Sequence, residues 1–177
     1  ERGGWGRPTV PRTVLEYFGA HPIPTPAFGT EATRGTLKRF RPAVTEIVDV
    51  TQIADQMKIF DTLGSAEAKV TVIDVRAGLL SPTLQALEDI GFIDSAKKGQ
   101  ITFAVFHILG PSIASLEEIA QTAKFVGDAS YFLVKNHINE TSFFYWDPAT
   151  SNSYFNQITG APDPTIPNHT DLATDPA

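Results

Sequence analysis

Cysteine is absent from all 177 residues, which excludes disulfides, thiolate nucleophiles and Cys-ligated zinc or iron–sulfur centres. Long apolar runs are absent too. The longest largely apolar stretch, Ile101–Leu109, is too short for a helical membrane span and is interrupted by His107. Nor is there an excess of basic charge: 14 Lys and Arg against 20 Asp and Glu give a net charge of −6. A fold-wide basic footprint for nucleic acid is thereby excluded, leaving only local patches. The start, Glu1-Arg2-Gly3-Gly4-Trp5, has no signal-peptide architecture, no initiator Met and no hydrophobic strand ahead of its glycines. These features predict a cytoplasmic protein whose chain begins part-way into its fold, without its first strand. What is present is globular in character, with 42% hydrophobic and 19% charged residues, and the length predicts a single domain over residues 1–177.

Short apolar or β-branched runs alternate with helical periodicity. Thr45–Val50 (TEIVDV) reads as a strand, followed by a helix capped by Thr51 and running through Leu63. In that helix Ile53, Met57 and Phe60 recur at spacings of four and three, predicting one apolar face. Lys69–Asp74 (KVTVID) reads as a buried parallel strand, after which Ser81 and Pro82 offer a cap and first-turn proline for a helix to Ile90. Ile101–Leu109 is the clearest central strand; Ser115 and Glu118 form a capping-box pattern for a helix ending near Gly127, and Ser130–Lys135 is a further strand. This alternation predicts an α/β fold, a mostly parallel sheet flanked by helices, with Lys69–Asp74, Ile101–Leu109 and Ser130–Lys135 as neighbouring strands. From Pro148 onward turn-forming residues accumulate, which predicts an irregular tail.

In open parallel sheets ligands gather at the carboxyl ends of strands. Asp74 ends its strand there and is followed by Val75-Arg76-Ala77-Gly78. An acid at that edge can hold Mg²⁺ directly or through water, and a glycine lets backbone approach a phosphate. The alternative is an Asp that stops a strand beside a turn glycine. Upstream, Arg2-Gly3-Gly4-Trp5-Gly6-Arg7-Pro8-Thr9-Val10 leads into the helical pattern Val10, Val14, Tyr17, Phe18. A glycine-rich turn opening a helix presents N–H groups and the positive dipole end to an anion.

Gly3-Gly4-Trp5-Gly6-Arg7-Pro8-Thr9-Val10 resembles the deviant Walker A loop of ParA/MinD-type P-loop ATPases, the SIMIBI class, which reads Lys-Gly-Gly-Val-Gly-Lys-Thr-Thr-Val. Asp74–Gly78 resembles the family's Walker B segment, Val134-Lys135-Asn136 the strand end whose Asn reads adenine, and Ile166-Pro167 the Ile-Pro segment near the base. The resemblance implies a P-loop NTPase-type fold, ATP and Mg²⁺ as cofactors, ATPase activity, and a homodimer that switches with nucleotide in plasmid partition or positioning. It further implies DNA, or a DNA-bound protein, as partner. By the same resemblance Gly3, Gly4, Gly6, Arg7 and Thr9 would cradle phosphate, and Thr9 and Asp74 would serve Mg²⁺. Arg2 would act across the dimer, Gly78 would sense the terminal phosphate, and Asn136 and Pro167 would lie at the base.

The departures are specific. Arg2 stands at the signature lysine, Arg7 at the P-loop lysine, and Pro8 at the metal-ligating Thr, where it also removes a loop N–H. Gly29, in Ala27-Phe28-Gly29-Thr30-Glu31, stands where the family carries an Asp, while Glu31 retains a second acid. Each lost group helps compensate triphosphate and Mg²⁺ charge. Two alternatives therefore stand beside the ATPase: a pseudo-ATPase serving as a binding or dimerisation module, and an amide-forming ligase resembling dethiobiotin synthetase. Elsewhere His21, His107, His137 and His169 show no ligand spacing, and His107 is expected to pack within its strand. Thr33–Pro42 carries the basic cluster Arg34, Lys38, Arg39 and Arg41, read as a solvated helix face or a DNA or partner contact. The aromatic run Phe143–Trp146 reads as core or dimer contact.

Overall fold

The computed structural model describes residues 9–31, 35–65, 67–109, 113–126 and 130–135. The chain divides into two compact units, Glu1–Asp94 and Ser95–Ala177. The first carries α1 (Thr9–Ala20), β1 (Ala27–Gly29), α2 (Thr36–Phe40), β2 (Thr45–Ile47), α3 (Ile53–Gly64), β3 (Val72–Asp74) and α4 (Leu80–Asp89). A short helix, α5 (Phe92–Lys97), crosses the division. The second carries β4 (Ala104–Leu109), α6 (Ile113–Val126) and β5 (Ser130–Lys135).

All described strand pairs are parallel. In the first unit the order is β2-β1-β3, with Ala27 opposite Thr45 and Val72, and Gly29 opposite Ile47 and Asp74. The central strand β1 is not among the expected ones. Ala27-Phe28-Gly29 is short and has no β-branched residue; pairing on both sides supplies the extended conformation that propensity does not. Lys69–Asp74 contributes β3, which pairs with β1. In the second unit β4 and β5 pair as expected, Ala104 to Leu109 opposite Ser130 to Lys135. Leu15 of α1, Ala27 of β1 and Leu37 of α2 are buried together, with Val72 of β3 packed against them. Alternation along a strand then puts Gly29 and Asp74 on the same sheet face as Ala27 and Val72, the face that α1 and α2 cover.

Helix α3 forms where expected but turns a different face inward. Ile59 is 1% exposed, whereas Ile53 and Met57 are 74% and 43% exposed. The cause lies in the preceding loop: the Asp49 N–H donates to Asp55 Oδ2 at 2.8 Å, and Gln56 Nε2 donates to the Val50 carbonyl at 2.8 Å. Those bonds hold Asp55 and Gln56 against the loop and so rotate Ile53 and Met57 outward. Thr51 is not the cap. Gln52 occupies that position without a side-chain bond, and Thr51 bonds Asp49 through its N–H and hydroxyl at 3.0 and 2.7 Å. Helix α4 likewise starts at Leu80, its N-cap Leu79 two residues ahead of the expected Ser81, leaving Pro82 in the first turn where no intrahelical N–H is needed.

In the second unit His107 is 4% exposed and does pack within its strand. Its Nδ1 lies 2.6 Å from Tyr131 Oη, which lies 3.1 Å from Thr122 Oγ1; Thr122 in turn donates to the Ile119 carbonyl at 3.0 Å. One proton placement makes every contact a hydrogen bond: His107 Nδ1–H donates to Tyr131, and the Tyr131 hydroxyl donates to Thr122. The other ring nitrogen faces Glu118 Oε2 at 4.0 Å. Burial pushes the His107 pKa down to about 4 and the Tyr131 pKa up to about 12.

Candidate functional site

The carboxyl edge of the first sheet gathers three strand ends. Gly29 and Asp74 are register partners, so the acid singled out in the sequence lies beside a glycine. Helix α1 runs antiparallel to the strands. Its later residues Leu15 and Gly19 line a groove with Thr25 and Val44, which precede β1 and β2, so its N-terminus at Thr9 faces the opposite, carboxyl edge. Asp74 thus lies at the end of the sheet toward which the α1 dipole is positive.

Backbone bonds tie the loops at this edge. The Val48 N–H donates to the Gly29 carbonyl at 3.0 Å, and the Thr30 N–H donates to the Asp74 carbonyl at 3.0 Å. The Arg76 N–H donates to Thr30 Oγ1 at 2.9 Å, and Leu79 N–H donates back to the Arg76 carbonyl at 3.0 Å. That last bond closes a turn in which Gly78 holds φ +75°, the left-handed region that favours glycine. Thr30, buried at the loop junction, is the residue that sequence reading missed. Its only signal was a hydroxyl directly after Gly29.

Glu31 has its Oε2 bonded by the Thr36 hydroxyl at 3.0 Å. Asp74 is the acid of the predicted set that ends a strand at this edge. Among the described residues no group of three or more His, Cys, Asp or Glu is placed to hold a metal ion. A Cβ built on Gly29 meets Ile47 Cδ1 at 3.5 Å, an ordinary contact.

Of the predicted site residues, the structure brings Asp74 and Gly78 to one edge, with the α1 start at Thr9 facing it. Arg2, Gly3, Gly4, Gly6, Arg7, Asn136 and Pro167 lie outside the described residues, as do the aromatic run and the tail. No helix among the described residues is long and apolar enough to cross a membrane. No protein-family model, curated protein or solved structure matches the chain. Fold and edge together define an α/β protein with parallel strands, its acid at their carboxyl end.

Proposed function

We propose that the chain is a P-loop-type nucleotide-binding protein resembling the ParA/MinD ATPases, self-associating with nucleotide to serve DNA partitioning or positioning. The observation that carries this reading is Asp74 at the carboxyl edge of parallel strands, on the sheet face covered by α1, whose N-terminus faces the same edge. In this reading Gly3, Gly4, Gly6, Arg7 and Thr9 cradle phosphate, Arg2 reaches the partner subunit's nucleotide, and Asn136 and Pro167 meet the base. Asp74 and Thr9 serve Mg²⁺, which when bound compensates phosphate charge. Gly78 lets the pinned turn after Asp74 approach the terminal phosphate. A second reading, nucleotide binding without turnover, is favoured by Gly29, which puts no carboxylate beside Asp74.

Calorimetric titration with Mg²⁺-ATP tests the reading, followed by phosphate release and by light scattering with and without nucleotide. The chain as it stands is expected to bind weakly. Arg7→Lys with Pro8→Thr should restore binding, and adding Gly29→Asp should restore turnover, because cradle contacts act in the ground state and the acid acts on the reaction. Turnover by the unaltered chain equal to the triple variant would overturn the view of these departures. Absence of binding by the triple variant would overturn the nucleotide-binding reading itself.

A further inference from the structure

Thr30 is bonded to the loop after β3 through both its main chain and its side chain. Its N–H donates to the Asp74 carbonyl at 3.0 Å. In a parallel ladder that continued, the Arg76 N–H would go next to the Thr30 main-chain carbonyl. It goes to the Thr30 hydroxyl instead, at 2.9 Å, so one side chain decides where pairing stops and the chain leaves the sheet. Three residues on, the Leu79 N–H returns to the Arg76 carbonyl at 3.0 Å. Within that turn Gly78 holds a positive φ, +75°, and Ala77 does not, the pattern of a type II turn with glycine at its third position. Thr30 is 8% exposed, so water is poorly placed to replace its hydroxyl. An Arg76 N–H left without that acceptor favours another path for the turn.

We infer that Thr30 is a positioning residue through which the site prefers a nucleoside triphosphate to a diphosphate, an inference that rests on the nucleotide-binding reading. The Thr30 hydroxyl holds Arg76, Arg76 closes the turn onto Leu79, and the closed turn offers Gly78 to the terminal phosphate. Thr30 itself touches no phosphate. A diphosphate ends short of the turn, so the bond from Arg76 to Thr30 bears on triphosphate binding alone. What the position requires is an oxygen acceptor of short reach on a residue that can end a strand. Serine supplies that acceptor, and valine, close to threonine in shape, does not.

Calorimetric titration tests this on the full chain carrying Arg7→Lys and Pro8→Thr, the pair expected to restore binding, with Mg²⁺-ATPγS and Mg²⁺-ADP as probes. Adding Thr30→Val should weaken the triphosphate analogue about tenfold, the worth of one hydrogen bond to a charged oxygen, and shift ADP by less than about twofold. Thr30→Ser should leave both affinities as they were. With Thr30 unchanged, hydrogen exchange of the Arg76 amide should slow in ATPγS and not in ADP, a measurement that stands even where Thr30→Val does not fold. Four results would each overturn the inference while nucleotide binding stands: equal losses for both nucleotides, no loss in Thr30→Val, a loss in Thr30→Ser, or Arg76 exchange that answers both nucleotides alike. No binding of either probe with Thr30 unchanged would overturn the nucleotide-binding reading, and this inference with it.

Discussion

Acidification should loosen the second unit through His107. In the folded chain its pKa is held down to about 4 by burial; in the unfolded chain it returns to about 6.5. Between these values the unfolded state binds more protons, so stability rises with pH across that window and is lost as pH falls from 6.5 toward 4. The full shift of about 2.5 units corresponds to something on the order of 3 kcal/mol, of which about 2 kcal/mol falls between pH 7 and pH 4.5. The Tyr131 hydroxyl, itself bonded to Thr122 Oγ1, faces the ring at Nδ1, and Glu118 faces its far nitrogen at 4.0 Å. The assay is urea unfolding followed by circular dichroism at pH 7, 5.5 and 4.5, comparing the natural chain with His107→Gln. The variant keeps an amide near Tyr131 and cannot titrate, so carboxylate contributions common to both chains cancel in the difference. A pH slope as steep in His107→Gln as in the natural chain would refute the assignment of a buried, neutral imidazole.

Four further outcomes are expected. Ile59→Ala should destabilise by about 2–5 kcal/mol and Ile53→Ala by less than about 0.5 kcal/mol, measured by urea denaturation; the reverse order would return α3 to the face its periodicity predicts. Tyr131→Phe, which strips the acceptor from His107 Nδ1–H, should cost about 1–3 kcal/mol by thermal melting. Thr30→Val removes the acceptor for the Arg76 N–H, so amide hydrogen exchange at Arg76 should accelerate, and Thr30→Ser should restore protection. Gly29→Asp should fold, since its Cβ has ordinary room. Its new carboxylate beside Asp74 should lower the melting temperature at pH 7, and millimolar Mg²⁺ should recover part of that loss by relieving like-charge repulsion.

The parts of the fold legible in the sequence are those with strong local signals. Ser130–Lys135 is a strand as written, and β4 and β3 fall within the runs that predict them, shortened at their N-terminal ends. Parallel pairing of β4 with β5 follows from the helical pattern between them. What escaped is set by tertiary contact. Ala27-Phe28-Gly29 becomes a central strand because neighbours pair with both its sides. The rotation of α3 is fixed by Asp55 and Gln56 bonding a loop, against which a count of apolar spacings has no purchase. At the site, Asp74 and Gly78 announce themselves by residue type and position, whereas Thr30 acts through one hydroxyl on an amide 46 residues away in the chain.

The bonds radiating from Gly29 and Thr30 make the carboxyl edge one mechanical piece. The loop after β2 hangs on the Gly29 carbonyl, and the turn after β3 hangs on Thr30 through both the Asp74 carbonyl and the Arg76 N–H. None of the three can be displaced singly without breaking a hydrogen bond in a buried setting. A push on Gly78, whatever delivers it, is therefore carried through Arg76 and Thr30 toward Val48, and from there to the loop that sets the rotation of α3. Ile53 and Met57, turned to solvent on that helix, are thus linked to the edge at Asp74 by a relay that alternates backbone with three side chains, Thr30, Asp55 and Gln56.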